Sequence, residues 1–187
     1  MRRPGAAGPL LPAVRDLHSL NEALDLGYRQ LLLERGSLLG LVGPLAAAAR
    51  RGVAIFVNLD GVEGLAGDSA ALAFLATDLE FSGVVSVKPH LLKDASRFRL
   101  RMVQRIHALD STGLETGLAS MPQPAPHAIA VAPALAMPQV IRTIRASTDV
   151  PVWGTGFVTT YPQAVEVLGA GASVVTSARR EVWRAFA

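Results

Sequence analysis

Residues 151–160 read PVWGTGFVTT, in which the short apolar run Val152-Trp153 leads directly into Gly154-Thr155-Gly156. This order is typical of a β-strand that ends in a turn with little side-chain cover. Such a turn either uses glycine only for its backbone angles or lets an anion approach the peptide N–H groups. The triplet by itself favours an ordinary turn, because it matches neither the G-x-G-x-x-G fingerprint nor a P-loop.

The same alternation of a short apolar run and a longer helical segment extends along the chain. Runs typical of buried strands cover residues 10–14, 30–33, 53–59, 83–87, 102–109, 128–132, 152–153 and 173–176. Helical periodicity is found in residues 17–26, 38–51, 69–79, 91–97, 138–147, 162–168 and 180–186. Strands that alternate with helices indicate βαβ units and a parallel sheet that is buried on both faces.

Eight such strands predict an α/β fold, specifically a compact, irregular TIM-type (β/α)8 barrel. The chain has 187 residues, whereas this barrel usually takes roughly 200–250. Some helices are therefore expected to be shortened or missing, with loops in their place after the strands that end at Val14 and Leu109. We expect one domain over residues 1–187, in which residues 1–9 form a loose leader.

Composition restricts the cellular compartment of the protein and the kinds of reactive or metal-binding site that it can have. The sequence has no cysteine, which excludes disulfide bridges, thiolate metal sites and cysteine nucleophiles. Its four histidines lack the spacing of a zinc site, so no metal is expected. No uninterrupted apolar stretch reaches the ~20 residues that span a bilayer, and prolines and glycines break the N-terminal segment where a signal peptide needs an apolar core. These features predict a cytoplasmic protein with no membrane partner.

The loops after the last two predicted strands form a candidate phosphate site. In barrels of this type these loops often hold a phosphate, through glycine N–H groups and the positive end of a short helix. The segment VTSARR at 175–180 adds hydroxyl groups to the glycine turn one unit earlier, and the pair favours a phosphate site over an ordinary turn. The candidate phosphate-binding residues are Gly154, Thr155, Gly156, Thr176 and Ser177, with Lys88 as a charge partner.

Polar side chains after the earlier strands could bind the part of a ligand that is not phosphate. They are Asp60, Glu63, Ser86, Asp110, Ser111 and Glu115. Carboxylates in these positions can accept hydrogen bonds from ligand hydroxyls, bind a divalent cation or act as general acids and bases. For each carboxylate taken singly, capping of a helix is the commoner role.

The order of several motifs resembles a known family. The segments are LLPAVRDL, VNLDGVEGLAGD, GVVSVK, MVQRIHALDSTGLETG, IAVAPALAMPQVI, VPVWGTGFV and GASVVTSARREVW. From Leu11 to Trp183 they resemble the glycerol-3-phosphate-responsive antiterminators of bacteria. The resemblance implies a TIM-like barrel without catalytic residues or cofactor, which binds glycerol 3-phosphate as an effector. It also implies action on leader mRNA at a terminator and expression of glycerol-utilisation genes.

The resemblance also assigns individual positions. The polar loop motifs of the family fall on Asp60, Ser86 with Lys88, Asp110 with Ser111, and Glu115. Its Gly-Gly-Leu turn falls on Thr155-Gly156-Phe157, so that Thr155 stands in place of a glycine. Thr159 stands where many members have a basic residue, and Ala178 replaces a hydroxyl-bearing residue.

Three functions are compatible with these residues. A regulator would bind a small phosphorylated molecule at the barrel mouth and leader mRNA through its arginines, which contact phosphates in a salt-dependent way. The candidate RNA-contacting residues are Arg97, Arg99, Arg101, Arg179, Arg180 and Arg184. An aldolase, isomerase or phosphodiesterase of the same fold would use Asp60, Lys88, Asp110 and Glu115 instead. A phosphometabolite-binding barrel that acts through protein partners is the third; the sequence does not indicate the oligomeric state.

Overall fold

Eight parallel strands close into a barrel in the computed structural model, which describes residues 8–187. The barrel strands are β1 (Leu10–Val14), β2 (Gln30–Leu33), β4 (Ala54–Asn58), β6 (Gly83–Ser86), β7 (Arg101–His107), β8 (Ala128–Ala132), β9 (Val152–Gly154) and β10 (Val174–Ser177). Their order around the barrel is β1-β10-β9-β8-β7-β6-β4-β2. Two short strands, β3 (Gly36–Ser37) and β5 (Val62–Glu63), pair separately and join the segments that follow β2 and β4. Most of the expected leader lies outside the described residues.

In the described residues, a helix follows every barrel strand. The helices are α1 (Leu17–Asp25), α2 (Val42–Arg50), α3 (Ser69–Thr77), α4 (Pro89–Arg97), α5 (Ser111–Ala119), α6 (Met137–Ser147), α7 (Tyr161–Gly169) and α8 (Arg180–Phe186). The α/β barrel is thus confirmed, and so are its shortened helices. A nine-residue helix spans about 13 Å, which is enough to return the chain beside a strand of five residues.

The expectation that loops replace helices after Val14 and Leu109 is wrong. Helix α1 follows β1, and α5 begins at Ser111, where the sequence suggested a polar loop. The preceding strand, β7, ends at His107 rather than Leu109. The chain therefore saves length by shortening all the helices rather than by omitting some.

Apolar side chains fill the interior of the barrel at the level of the strand centres. This inner cluster consists of Leu11, Leu32, Phe56, Val85, Val103, Ala128, Ala130 and Trp153. Phe56 and Trp153 meet edge to face, with ring centroids 5.2 Å apart, a favoured aromatic geometry. Because the interior is packed, a ligand can be held only at an end of the barrel, which in this fold is the carboxyl end of the strands.

Asp16 starts α1 beside the carboxyl end of β1. Its carboxylate accepts a hydrogen bond from the Ser19 N–H at 2.7 Å, and its own N–H donates to Ser19 Oγ at 3.1 Å. The backbone and side-chain hydrogen bonds from Ser19 lower the pKa of Asp16. The two residues form a capping box that satisfies N–H groups of the first helical turn.

No helix within residues 8–187 is long and apolar enough to cross a membrane.

Replacing Asp16 with alanine is expected to lower the free energy of unfolding by about 1 kcal/mol at neutral pH, because the cap is lost. A carboxylate with a lowered pKa stabilises the fold above its ordinary pKa, and this contribution disappears as the pH falls through the lowered value. The deficit of Asp16→Ala should therefore shrink in acid, whereas Asp16→Asn keeps an uncharged cap at every pH. Urea unfolding measured at neutral and acid pH tests this, and a deficit that does not change with pH would contradict it.

Candidate functional site

A cleft of about 410 Å³ opens at the carboxyl end of the barrel. Segments that follow β1, β2, β9 and β10 form its walls. The lining residues are Ala13, Arg15, Glu34, Arg35, Thr155, Gly156, Phe157, Val158, Thr159, Thr176, Ser177, Ala178 and Arg179. The loops after the seventh and eighth barrel strands, β9 and β10, therefore line one cleft, which is where the sequence placed the phosphate.

The turn after β9 presents backbone N–H groups. Gly156 and Phe157 both have left-handed backbone angles, with φ of +79° and +62°, and both are exposed. The carbonyls of Thr155 and Gly156 accept from the Ala134 N–H at 2.7 and 3.2 Å. Within residues 8–187, no acceptor engages the N–H groups of Gly156, Phe157 and Val158. Successive free N–H groups in a turn form a concavity that suits an anion.

The hydroxyl groups of the cleft differ in what they can donate. Thr176 Oγ1 donates to Thr155 Oγ1 at 2.8 Å, and in the described part of the chain the Thr155 proton has no acceptor. Ser177 Oγ donates its only proton to the Val158 carbonyl at 2.7 Å and accepts from the Arg179 N–H at 3.1 Å. Thr155 is therefore an available donor, whereas Ser177 ties the β10 loop to the β9 turn.

Two of the predicted phosphate ligands lie outside the cleft. Gly154 belongs to β9 and faces the helices: a Cβ there would collide with Val167 Cγ1 and lie 3.2 Å from Ala134 Cβ. Its lack of a side chain thus serves strand–helix packing. Lys88 is exposed at the start of α4, near Gly67, and does not line the cleft.

The other predicted polar residues also lie apart from the cleft. Asp60 accepts from Ser86 Oγ at 3.0 Å and from the Val87 N–H at 2.7 Å, which joins the loops after β4 and β6. Asp110 caps α5 by accepting from the Gly113 N–H at 2.7 Å. Ser111 and Glu115 are exposed on α5, and Glu63 is exposed in β5. Asp60 and Asp110 thus have structural roles in this geometry: Asp60 joins two loops, and Asp110 caps a helix.

An ion pair that sequence reasoning missed crosses the mouth of the barrel from β2 to β7. Arg105 Nη1 and Nη2 donate to Glu34 Oε1 and Oε2 at 3.0 and 2.9 Å. Asn58 Nδ2 donates to the Glu34 carbonyl at 3.0 Å and to Oε1 at 3.3 Å. The side chains of Arg105 and Glu34 are only 10% and 18% exposed. Glu34 lines the 410 Å³ cleft, whereas Arg105 lines a second one of about 440 Å³ beside α5.

Unpaired arginines make the first cleft cationic. Arg15, Arg35 and Arg179 line it and are exposed. Within residues 8–187, no carboxylate or other acceptor engages their guanidinium groups, whereas the charge of Glu34 is balanced by Arg105. Cations without partners at a concave surface attract anions and can bind phosphate with two parallel hydrogen bonds. Arg15 and Arg35 were not predicted as site residues, although Arg15 directly follows the apolar strand β1 and Arg35 comes two residues after the end of β2.

The six candidate RNA-contacting arginines occupy three parts of the surface. Arg97, Arg99 and Arg101 are exposed at the amino end of the barrel, between α4 and β7. Arg180 and Arg184 of α8 pair with Glu22 of α1 at 2.9 and 2.6 Å. Arg179 lines the cleft at the carboxyl end. They do not form one continuous patch.

Comparison with known proteins places the chain among regulators. The family model described as glycerol-3-phosphate responsive antiterminator matches residues 10–183. A glycerol uptake operon antiterminator regulatory protein from Listeria monocytogenes is 23% identical, with a TM-score of 0.85 over 98% of each chain. A glycerol uptake operon antiterminator-related protein from Thermotoga maritima is 25% identical, with a TM-score of 0.78 over 96% of this chain and 99% of that one.

The fold is shared with enzymes as well. A deoxyribose phosphate aldolase from Aeropyrum pernix is 14% identical, with a TM-score of 0.72 over 96% of this chain and 90% of that one. At this identity the likeness concerns the barrel alone, because one fold supports many unrelated functions.

The packing role of Gly154 can be tested with alanine. Gly154→Ala is expected to destabilise the protein by about 1–3 kcal/mol through overpacking against Val167. Combining it with Val167→Ala should cost less than the sum of the two single changes, because the smaller side chain makes room for the new methyl group. Urea unfolding of the four proteins in this cycle measures the coupling. Strict additivity would contradict the proposed contact.

Proposed function

This chain belongs to the glycerol-3-phosphate responsive antiterminator family, and we propose that it binds glycerol 3-phosphate in the cleft over β9 and β10. Occupation of the cleft then controls its engagement of the leader mRNA of glycerol-utilisation genes. A ligand can do this only if it binds the RNA-competent state more tightly than the other state. The proposal requires no cofactor besides this effector ligand.

The observation that carries the proposal is the convergence of anion-binding groups in one cleft. Arg15, Arg35 and Arg179 line it together with Gly156 and Phe157 of the turn after β9. In the described residues these groups have no partners of their own, so a bound phosphate would not have to displace any. Charge-assisted hydrogen bonds of this kind are about twice as strong as neutral ones.

The family is one of regulators and not of enzymes. The geometry agrees, because none of the residues that an aldolase or isomerase would use lines the cleft. Asp60 joins two loops, Asp110 caps α5, Glu115 is exposed on α5, and Lys88 is outside the cleft. In the described residues Glu34 is the only carboxylate that lines the cleft.

The exposed arginines at the amino end of the barrel are the best-placed candidates for RNA contact. Within residues 8–187, Arg97, Arg99 and Arg101 have no ion-pair partner. Arg180 and Arg184, in contrast, are engaged by Glu22. Because the effector cleft is at the opposite end, the effect of the ligand on RNA binding would be allosteric. Action on a nascent transcript further implies a cytoplasmic location.

Glycerol 3-phosphate is expected to bind the wild-type protein in calorimetry and to raise its Tm. Arg15→Gln and Arg179→Gln should each weaken binding by about tenfold or more, because each removes a charge-assisted hydrogen bond. Arg142→Gln serves as the matched control, since Arg142 is exposed on α6 outside the cleft. If neither heat nor a Tm shift accompanies the wild-type titration, the ligand is wrong; unchanged affinity in both cleft variants would exclude this cleft.

Leader RNA of a glycerol operon is expected to bind in a gel shift only when glycerol 3-phosphate is present. Replacing Arg97, Arg99 and Arg101 with glutamine should weaken binding and reduce the slope of log K against log salt by about 0.7–0.9 for each RNA phosphate that the variant no longer neutralises. Affinity for glycerol 3-phosphate should stay unchanged in this variant. Ligand binding without any RNA shift would instead favour a phosphometabolite-binding role through protein partners.

A further inference from the structure

Glu34 is held in one position at the wall of the cleft. Both carboxylate oxygens are bound by the Arg105 guanidinium, at 3.0 and 2.9 Å, and the Asn58 amide adds a contact to Oε1 at 3.3 Å. A further hydrogen bond, from Asn58 to the Glu34 carbonyl at 3.0 Å, fixes the backbone. The two partners belong to β7 and β4, so three strands determine where the carboxylate points. Such a group loses little rotamer freedom when a ligand binds it.

The carboxylate keeps unused capacity to accept hydrogen bonds. An ionised carboxylate has about four acceptor positions. Among residues 8–187, Oε1 accepts from Arg105 and Asn58, whereas Oε2 accepts from Arg105 alone. One position on Oε2 is therefore open, and the side chain is 18% exposed where it lines the cleft. A ligand group that approaches this oxygen must be a donor, because a second anion would be repelled.

We propose that Glu34 forms a hydroxyl-binding subsite, which selects a phosphorylated polyol with an uncharged tail. This inference rests on the proposed function, since it assumes that the phosphate lies against the turn at Gly156 and the arginines of the rim. The hydroxyl end of the ligand then lies toward the barrel interior and donates to Glu34 Oε2. A phosphorylated acid, whose tail carries a carboxylate, is rejected by the same oxygen.

A different role for Glu34 would have the opposite consequence. If the carboxylate only masked Arg105 until an anion displaced it, its removal would expose a buried guanidinium and strengthen the binding of every phosphate. In a hydroxyl-binding subsite, its removal lowers the affinity for glycerol 3-phosphate relative to that for a phosphate without hydroxyls. The two roles are therefore distinguished by one set of titrations.

The test compares glycerol 3-phosphate with propyl phosphate, which has the same phosphate and no free hydroxyl, and with 3-phosphoglycerate. Calorimetric titrations use the wild type, Glu34→Gln and the matched control Glu166→Gln, which alters an exposed carboxylate on α7. In the wild type and the control, glycerol 3-phosphate should bind about tenfold or more tightly than propyl phosphate. In Glu34→Gln this ratio should fall at least severalfold, and discrimination against 3-phosphoglycerate should diminish.

Each of the other outcomes would overturn a specific part of the proposal. Equal affinity of the wild type for glycerol 3-phosphate and propyl phosphate would overturn the subsite and leave the phosphate site intact. Tighter binding of glycerol 3-phosphate and propyl phosphate by Glu34→Gln, with an unchanged ratio of their affinities, would show that the residue masks Arg105. No binding of any phosphate by the wild type would overturn the proposed function and the subsite together. If Glu34→Gln does not fold, Glu34→Asp withdraws the carboxylate by one methylene group and should reduce the same ratio, and the wild-type ratio remains decisive.

Discussion

The ion pair between Glu34 and Arg105 is the contact on which the mouth of the barrel depends. Below it the interior is filled by apolar side chains such as Phe56 and Trp153, where an unpaired guanidinium would cost several kcal/mol. The pair makes a charged side chain tolerable inside the barrel and balances its charge. The net positive charge of the cleft therefore comes from the rim, from Arg15, Arg35 and Arg179. The Glu34 carboxylate on the inner wall accepts hydrogen bonds, and the three arginines at the rim carry positive charge. This arrangement is complementary to the proposed ligand, a phosphorylated polyol.

Polar side chains also arrange the surrounding loops before any ligand binds. Asp60 connects the segments after β4 and β6, and Ser177 connects the β10 loop to the turn after β9. Ser177, which was expected to contact the ligand, thus holds in place Val158 and Arg179, two residues that line the cleft. A site arranged in advance avoids part of the ordering cost of binding, which suits a regulator that responds to a small metabolite.

The sequence was most informative about the barrel and least about α5 and the ion pair. Near-continuous apolar runs located all eight barrel strands, because strands buried on both faces need them. Helix α5 was missed since Gly113 and Gly117 lower helix propensity. The structure shows why they are there: a Cβ on Gly113 would lie 2.9 Å from the His107 carbonyl, and one on Gly117 would collide with Ile106. Arg105 was not predicted as a site residue, although a charge inside the apolar strand β7 was the available signal. Which strand positions face inward follows only from the barrel register.

The crystal structure of the protein with glycerol 3-phosphate would test this interpretation most directly. We expect the phosphate within hydrogen-bond distance of the N–H groups at Gly156–Val158 and of the rim arginines. A hydroxyl of the glycerol part should lie about 2.5–3.0 Å from Glu34 Oε2, with the Glu34–Arg105 pair unbroken. A ligand bound elsewhere, or one whose phosphate has displaced Glu34 from Arg105, would contradict it.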